Sequence, residues 1–128
     1  MPVKPRDLFE SAKLVRANQP TEAGYRAAIS RAYYAAYHAA LRFHRKLPKP
    51  GSVGQANGLH EQLCAQLIRP GIAPEDPKYY ESQSVGYELR DFHRLRVTSD
   101  YHLEENVDDK DVETALEKSK SILESCKY

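Results

Sequence analysis

The sequence has little of what several common classes of protein require. It has two cysteines in 128 residues, Cys64 and Cys126, without the density of a disulfide scaffold. No apolar run approaches the roughly 20 residues that cross a membrane. The first ten residues, MPVKPRDLFE, lack the apolar core of a signal peptide. We therefore expect a reduced, cytoplasmic protein with no membrane segment.

Motifs for phosphate loops and metal sites are also missing. The glycines of GSVG at residues 51–54 have no preceding strand and no following lysine. No histidines, cysteines or carboxylates have metal-ligand spacing, and His60-Glu61 is not followed by the second histidine of a zinc helix. No segment alternates apolar and polar positions with β-branched residues, so we predict no sheet. We expect neither a metal nor a cofactor.

What the sequence does contain is helical periodicity. Residues 27–44, AAISRAYYAAYHAALRFH, are rich in alanine, the best helix former, and hold no glycine or proline. Apolar residues recur there every three or four positions on more than one side. This pattern predicts a central helix from about Thr21 to about Lys46, touched by other helices on several faces. We expect its most buried side chains to be Tyr33, Ala36, Tyr37 and Ala40.

Four further helices are predicted around this central one. Their apolar stripes and breakers give residues 5–17, 60–69, 79–103 and 110–126, with Asp108 or Asp109 capping the last. The chain therefore reads as all-α, an up-and-down helical bundle of about five helices. We expect residues 1–128 to form one domain, because this length supplies one core.

Charge is divided unevenly along the chain. Residues 1–50 hold ten Lys or Arg and three Asp or Glu, a net charge of +7. Residues 51–128 hold nine and fifteen, a net charge of −6. The basic half is a candidate surface for phosphate groups and the acidic half a candidate surface for a partner. An equally good interpretation is that the two halves pair with each other inside the bundle.

A polar strip interrupts the packed face of the central helix. Arg31, Tyr34 and His38 have the three- and four-residue spacing that puts side chains on one helix face. We take the strip as a candidate substrate-binding surface. The number of residues between Arg31 and His38 is also close to the number between an arginine and a histidine of the fourth predicted helix.

That second feature is FHRLRVTSDYHL, residues 92–103. Asp100 lies four residues after Arg96, so its carboxylate can hold the guanidinium in a fixed orientation. His102 lies six positions after Arg96, about 120° away around a regular helix. The two converge only if the helix ends early or a second chain supplies the partner. On spacing alone, an Arg–Asp pair beside a surface histidine is the simpler interpretation.

Two segments resemble HEPN domains. ISRAYYAAYHAA at residues 29–40 looks like their second-helix signature, particularly in small stand-alone prokaryotic members. LRVTSDYHL at residues 95–103 resembles the segment that closes their fourth helix. HEPN domains are helical bundles that commonly dimerise. Many are metal-independent RNases that use an arginine, four to six intervening residues and a histidine, and many are toxins encoded beside a minimal nucleotidyltransferase antitoxin.

The resemblance implies that Arg96 and His102, with five residues between them, are the catalytic pair. Two positions depart from the family pattern. Val97 stands where many active members carry a polar residue, and Glu104 stands where some carry a tyrosine that the partner modifies.

A related branch of the family keeps an Arg-x-x-Ala/Ser-Asp-Tyr pattern. Ser99, Asp100 and Tyr101 fit it after Arg96 and are candidate supporting residues. The resemblance thus implies a homodimeric ribonuclease with an RNA substrate and a nucleotidyltransferase antitoxin. Its alternative is a non-catalytic module that binds a nucleotidyltransferase or a nucleotide.

Overall fold

The computed structural model describes residues 2–127 as a bundle of α-helices. The helices are α1 (Pro5–Asn18), α2 (Glu22–Arg45), α3 (Leu59–Ile68), α4 (Lys78–Tyr101) and α5 (Asp109–Ser125). No strand occurs among these residues, which confirms the predicted all-α bundle. Helix α2 is central, because it packs against each of the other four.

Side-chain caps set two of the helix starts. Thr21 Oγ1 accepts a hydrogen bond from the Gly24 amide at 3.1 Å, at the start of α2. Asp108 Oδ1 accepts one from the Asp111 amide at 3.1 Å, at the start of α5. Each satisfies an amide that has no partner within its own helix. The last cap is therefore Asp108 rather than Asp109.

Helix α4 ends two residues earlier than predicted, at Tyr101. The guanidinium of the buried Arg26 donates to the carbonyl oxygens of Thr98 and Ser99, at 3.2 and 2.9 Å. The Ser99 oxygen would otherwise accept from a continued helical turn, and the guanidinium takes that place. The backbone instead turns away at His102, where φ is −104° and ψ is 75°.

Alanine allows helices to approach α2 closely. The predicted burial of Tyr33, Ala36, Tyr37 and Ala40 is confirmed, since none is more than 9% exposed. The surrounding helices contribute the other large apolar side chains that are fully buried, which are Leu67, Val85, Leu89, Phe92, Val112, Ile122 and Leu123.

Helices α3 and α4 meet at a glycine. A Cβ added to Gly86 would lie 2.8 Å from Ile68 Cγ1 and 2.9 Å from Leu67 Cβ, closer than carbon atoms pack. Nearby, the buried Ser82 hydroxyl donates to the Leu67 carbonyl at 2.7 Å. The missing side chain at Gly86 makes room for α3, and helix α4 continues unbroken through this residue.

The oppositely charged halves of the sequence meet where α1 packs against α5. Arg16 Nε donates to Asp109 Oδ1 at 2.9 Å, and Arg16 Nη2 donates to Asp109 Oδ2 at 2.7 Å. The same guanidinium pairs with Glu113. Part of the charge asymmetry is therefore neutralised by ion pairs within the chain.

Both cysteines are free thiols buried in the bundle. Burial raises the pKa of Cys64 to about 11 and that of Cys126 to about 12. Both thiols are therefore protonated at neutral pH and weakly nucleophilic. Within residues 2–127, none of the helices combines the length and apolar character that a membrane crossing requires.

Candidate functional site

The polar strip of α2 and the Arg96 segment of α4 form one site. Arg96 Nη2 donates a hydrogen bond to the Tyr34 hydroxyl at 2.9 Å. Arg96 Nε lies 2.8 Å from Asp100 Oδ2, which confirms the predicted four-residue pair. This N–H does not point along the line of a hydrogen bond, so the contact with Asp100 is ionic. The two contacts fix the guanidinium between α2 and α4.

Aromatic rings surround the same guanidinium. Its Cζ lies 5.2 Å from the ring centre of Tyr34, 5.7 Å from that of Tyr33 and 5.6 Å from that of Tyr101. A cation within about 6 Å of an aromatic face is stabilised by the ring's electron density. The Arg96 side chain is only 11% exposed, yet no hydrogen bond within residues 2–127 uses its Nη1. One donor of a well-held arginine is therefore free for a ligand.

A groove of about 560 Å³ opens beside this arginine. It contains all three residues of the predicted strip together with Asp100, and its lining is Leu8, Ala27, Ser30, Arg31, Tyr34, His38 and Asp100. Arg31 and His38 are exposed at its rim. The Ser30 hydroxyl donates to Asp100 Oδ2 at 3.2 Å, and Arg31 Nη1 donates to Ser11 Oγ at 2.6 Å. The groove thus combines cationic and hydroxyl groups with one carboxylate, Asp100, whose charge is paired with Arg96.

His102 lies outside this groove, at the C-terminal end of α4. Its side chain is 50% exposed, and its Nδ1 is 3.3 Å from Glu104 Oε1. No hydrogen bond or ion pair joins His102 to Arg96 within the described part of the chain. One chain therefore brings Arg96 together with Tyr34 and Asp100, but not with His102.

The other two residues of the fourth-helix pattern are placed differently from each other. Ser99 is 1% exposed, and its hydroxyl donates back to the Leu95 carbonyl at 3.0 Å. Tyr101 is 67% exposed and covers one side of Arg96. Ser99 therefore supports the helix from inside, while Tyr101 is available at the surface.

Sequence reasoning missed Arg26. It is 8% exposed, and besides its bonds within the last turn of α4 it donates to the carbonyl oxygens of His102, at 3.2 Å, and Glu105. From the same end of α2, Glu22 Oε1 accepts from the Val107 amide at 2.8 Å. These contacts hold the turn that carries His102. No sequence signal reveals them, because every partner is a backbone atom.

Two histidines, His60 of α3 and His93 of α4, were also not predicted as site residues. Their rings stack with centres 5.1 Å apart and planes inclined by 12°. The ring of Tyr33 lies 5.4 to 5.6 Å from Phe92 and from both histidines, so it links them to the core. Among residues 2–127 no three His, Cys, Asp or Glu side chains are grouped to hold a metal ion.

No family model matches the chain, and no curated protein or solved structure is significantly similar to it. The chemistry available at the site therefore depends on its own groups. A guanidinium with fixed orientation and a free donor suits a phosphate oxygen, to which arginine donates with defined geometry. Imidazoles nearby suit proton transfer at neutral pH.

Proposed function

We propose that this chain is a HEPN-type, metal-independent endoribonuclease of the cytoplasm that acts as a homodimer. In this proposal it is the toxin of a toxin–antitoxin pair whose antitoxin is a nucleotidyltransferase. The observation that carries it is the position of Arg96, held by Tyr34 and Asp100, two residues that line a groove together with Arg31 and His38. The five-helix fold supports it as well.

Arg96 is suited to stabilise the transition state of RNA cleavage. When the 2′-oxygen attacks phosphorus, negative charge builds on the non-bridging phosphate oxygens. A pre-oriented cation in a partly buried site stabilises this charge more than a mobile one in water. Tyr34 and Asp100 supply the orientation, and the unused Nη1 supplies the donor.

His102 is suited to transfer protons. Cleavage needs a base for the 2′-hydroxyl and an acid for the leaving 5′-oxygen, and an exposed imidazole serves either purpose near neutral pH. Since no hydrogen bond joins His102 to Arg96 among the described residues, a two-fold dimer is the arrangement that would bring the two residues together.

The second candidate is a non-catalytic HEPN module that binds a nucleotidyltransferase or a nucleotide. The observation favouring it is the surface around His102, where Tyr101 is 67% exposed and Leu103 is 72% exposed. Exposed apolar residues beside a polar site are typical of a surface that binds another protein. Arg96 would then have a structural or a nucleotide-binding role.

The test is cleavage of an oligoribonucleotide by purified protein in EDTA. We expect Arg96→Ala to slow cleavage by about 10²–10³-fold and His102→Ala by ~10²–10⁴-fold, the usual effects of losing a charge stabiliser or a proton-transfer group. Arg94→Ala is the matched control, since Arg94 is exposed on the same helix. A single 2′-deoxy substitution should block cleavage at that site, and the product should carry a cyclic phosphate or a 3′-phosphate.

Three outcomes would change the conclusion. Cleavage that stops in EDTA would exclude the metal-independent mechanism. Loss of activity in His38→Ala but not in His102→Ala would move the site to the α2 strip. If the dimer cleaves no RNA but binds a nucleotidyltransferase tightly, the interaction module is the correct function.

A further inference from the structure

The stacked imidazoles of His60 and His93 lie on the same face of the bundle as Arg96. His93 precedes Arg96 by three residues on α4, so the two side chains are neighbours on the helix surface. The ring of Tyr33 contacts both of them, 5.6 Å from the His93 ring and 5.7 Å from Arg96 Cζ. On the α2 side, the ring of Tyr37 lies 4.6 Å from that of His60.

Each imidazole of the pair has a polar partner beside its Nδ1. His60 Nδ1 shares a hydrogen bond with the Tyr33 hydroxyl at 2.8 Å. His93 Nδ1 lies 3.6 Å from Glu61 Oε1, a carboxylate on α3. No hydrogen bond within residues 2–127 uses the Nε2 of either ring. At 3.6 Å the Glu61 carboxylate acts through its charge rather than a hydrogen bond, and that charge favours a proton on Nδ1, which leaves Nε2 as the proton acceptor.

The surroundings of His93 keep its ring unprotonated. Burial lowers the pKa of His93, and the cation of Arg96 lowers it further, while Glu61 opposes both. The other groups that face the ring are the Tyr33 phenol from α2 and the His60 imidazole from α3. Burial also lowers the pKa of His60, so that neighbour is neutral as well. The side chain of His93 remains 18% exposed, which leaves access for a substrate.

We propose that His93, beside the Glu61 carboxylate and stacked on His60, is the proton-accepting catalytic residue of RNA cleavage at Arg96. The inference rests on the proposed ribonuclease function and assigns a base that the arginine–histidine pattern does not contain. It gives each Arg96 a base from its own chain. His102 is then the general acid rather than one of two equivalent histidines.

In this reaction two protons are transferred and one bond at phosphorus replaces another. His93 Nε2 takes the proton of the 2′-hydroxyl, whose oxygen bonds to phosphorus as the bond to the 5′-oxygen breaks. The electron pair of that bond stays on the 5′-oxygen, which takes a proton from protonated His102. The products are a 2′,3′-cyclic phosphate and a 5′-hydroxyl, and exchange with water restores both imidazoles. His93 lies eight helical positions, about 12 Å, before the end of α4 at Tyr101, and His102 lies beyond that end, so we assign the acid to a second copy of the chain.

The test measures single-turnover cleavage of an oligoribonucleotide against pH, together with the melting temperature of each variant. We expect His93→Gln to reduce cleavage by ~10²–10⁴-fold with a melting temperature close to wild type. Glu61→Gln, at a residue whose side chain is 47% exposed, removes the group that raises the pKa of His93. It should therefore move the acidic limb of the pH–rate profile to lower pH. Arg94→Ala should leave rate and profile unchanged.

Chemical rescue separates a proton-transfer role from a packing role. We expect added imidazole to restore part of the activity of His93→Ala, and to restore none to Arg96→Ala. Failure of rescue together with wild-type cleavage by His93→Gln overturns the inference while leaving the ribonuclease proposal intact. If wild-type protein and Arg94→Ala both cleave no RNA, the ribonuclease proposal and this inference fall together.

Discussion

Replacement of Arg26 by methionine isolates the contribution of a buried cation that no carboxylate neutralises. Arg26 is 8% exposed and donates to four carbonyl oxygens at the end of α4, with no ion pair to a carboxylate among residues 2–127. Its charge is balanced instead by the negative end of the helix dipole. Methionine keeps much of the apolar stem and removes every donor.

The expected cost follows from those contacts. The bond to the buried Ser99 carbonyl is charge-assisted, and losing such a bond costs about 1.5–3 kcal/mol. Losing a cation at a helix C-terminus adds up to about 2 kcal/mol. Water can reach the remaining carbonyls, and removing a desolvated charge offsets part of the loss. We expect a net decrease of roughly 2–4 kcal/mol in the free energy of unfolding, or a fall of roughly 6–20 °C in Tm for a chain of this length.

Arg16→Met is the matched control, measured by the same urea and thermal unfolding. Arg16 pairs with two carboxylates at the surface, and its partners are each 54% exposed. Solvated pairs of this kind are worth about 0–1 kcal/mol. If Arg16→Met costs as much as Arg26→Met, the assignment of stability to the buried cap is wrong. Hydrogen exchange at the His102 amide, which bonds to the Thr98 carbonyl at 3.1 Å, should accelerate only in the Arg26 variant.

Two further predictions concern stability. Buried His44 accepts a hydrogen bond from the Gly51 amide at 3.1 Å, and burial lowers its pKa. As pH falls, the unfolded chain is protonated at this histidine before the folded chain is, so the free energy of unfolding decreases below about pH 6.5. His44→Gln should weaken that pH dependence in urea titrations. An unchanged dependence would contradict it. Gly86→Ala should cost about 1–3 kcal/mol by forcing α4 away from Leu67 and Ile68, whereas Gly58→Ala, with nothing within 4 Å of its Cβ position, would show only the strain of its positive φ.

The fold was predictable because its determinants are local. Alanine content and apolar spacing identify α2, and prolines and glycines mark most of the places where helices begin or end. The exception is the end of α4. Arg26 binds the carbonyl oxygens there, and it lies 72 or more positions away from them in the sequence. Helix periodicity contains no information about such a contact.

The site was predictable only where its contacts follow helix spacing. The Arg96–Asp100 pair is one turn long and was predicted from the sequence. The hydrogen bond from Arg96 to Tyr34 spans 62 positions and depends on how α2 packs against α4. The stack of His60 on His93 depends in the same way on α3 and α4. Spacing identifies neighbours on one helix and leaves the meeting of two helices undetermined.

The two anchors of Arg96 differ in a way that a double-mutant cycle can measure. Tyr34→Phe removes only the hydroxyl that accepts from Nη2 and keeps the ring 5.2 Å from Cζ. Asp100→Asn removes the charge beside Nε and keeps the shape of the side chain. Each single change leaves one anchor in place. We expect each to cost about 0.5–1.5 kcal/mol in stability and to slow cleavage less than Arg96→Ala does.

The double variant should slow cleavage by more than the product of the two single effects. With the hydroxyl acceptor and the paired charge both gone, the guanidinium of Arg96 can sample other rotamers, and the ordering it loses must be regained in the transition state. Tyr87→Phe, at a ring on α4 that is 56% exposed, is the control for loss of a phenol and should change neither quantity. If the single effects simply multiply, Tyr34 and Asp100 do not fix Arg96 jointly. Wild-type cleavage by the double variant would mean that the orientation of Arg96 does not limit the reaction at all.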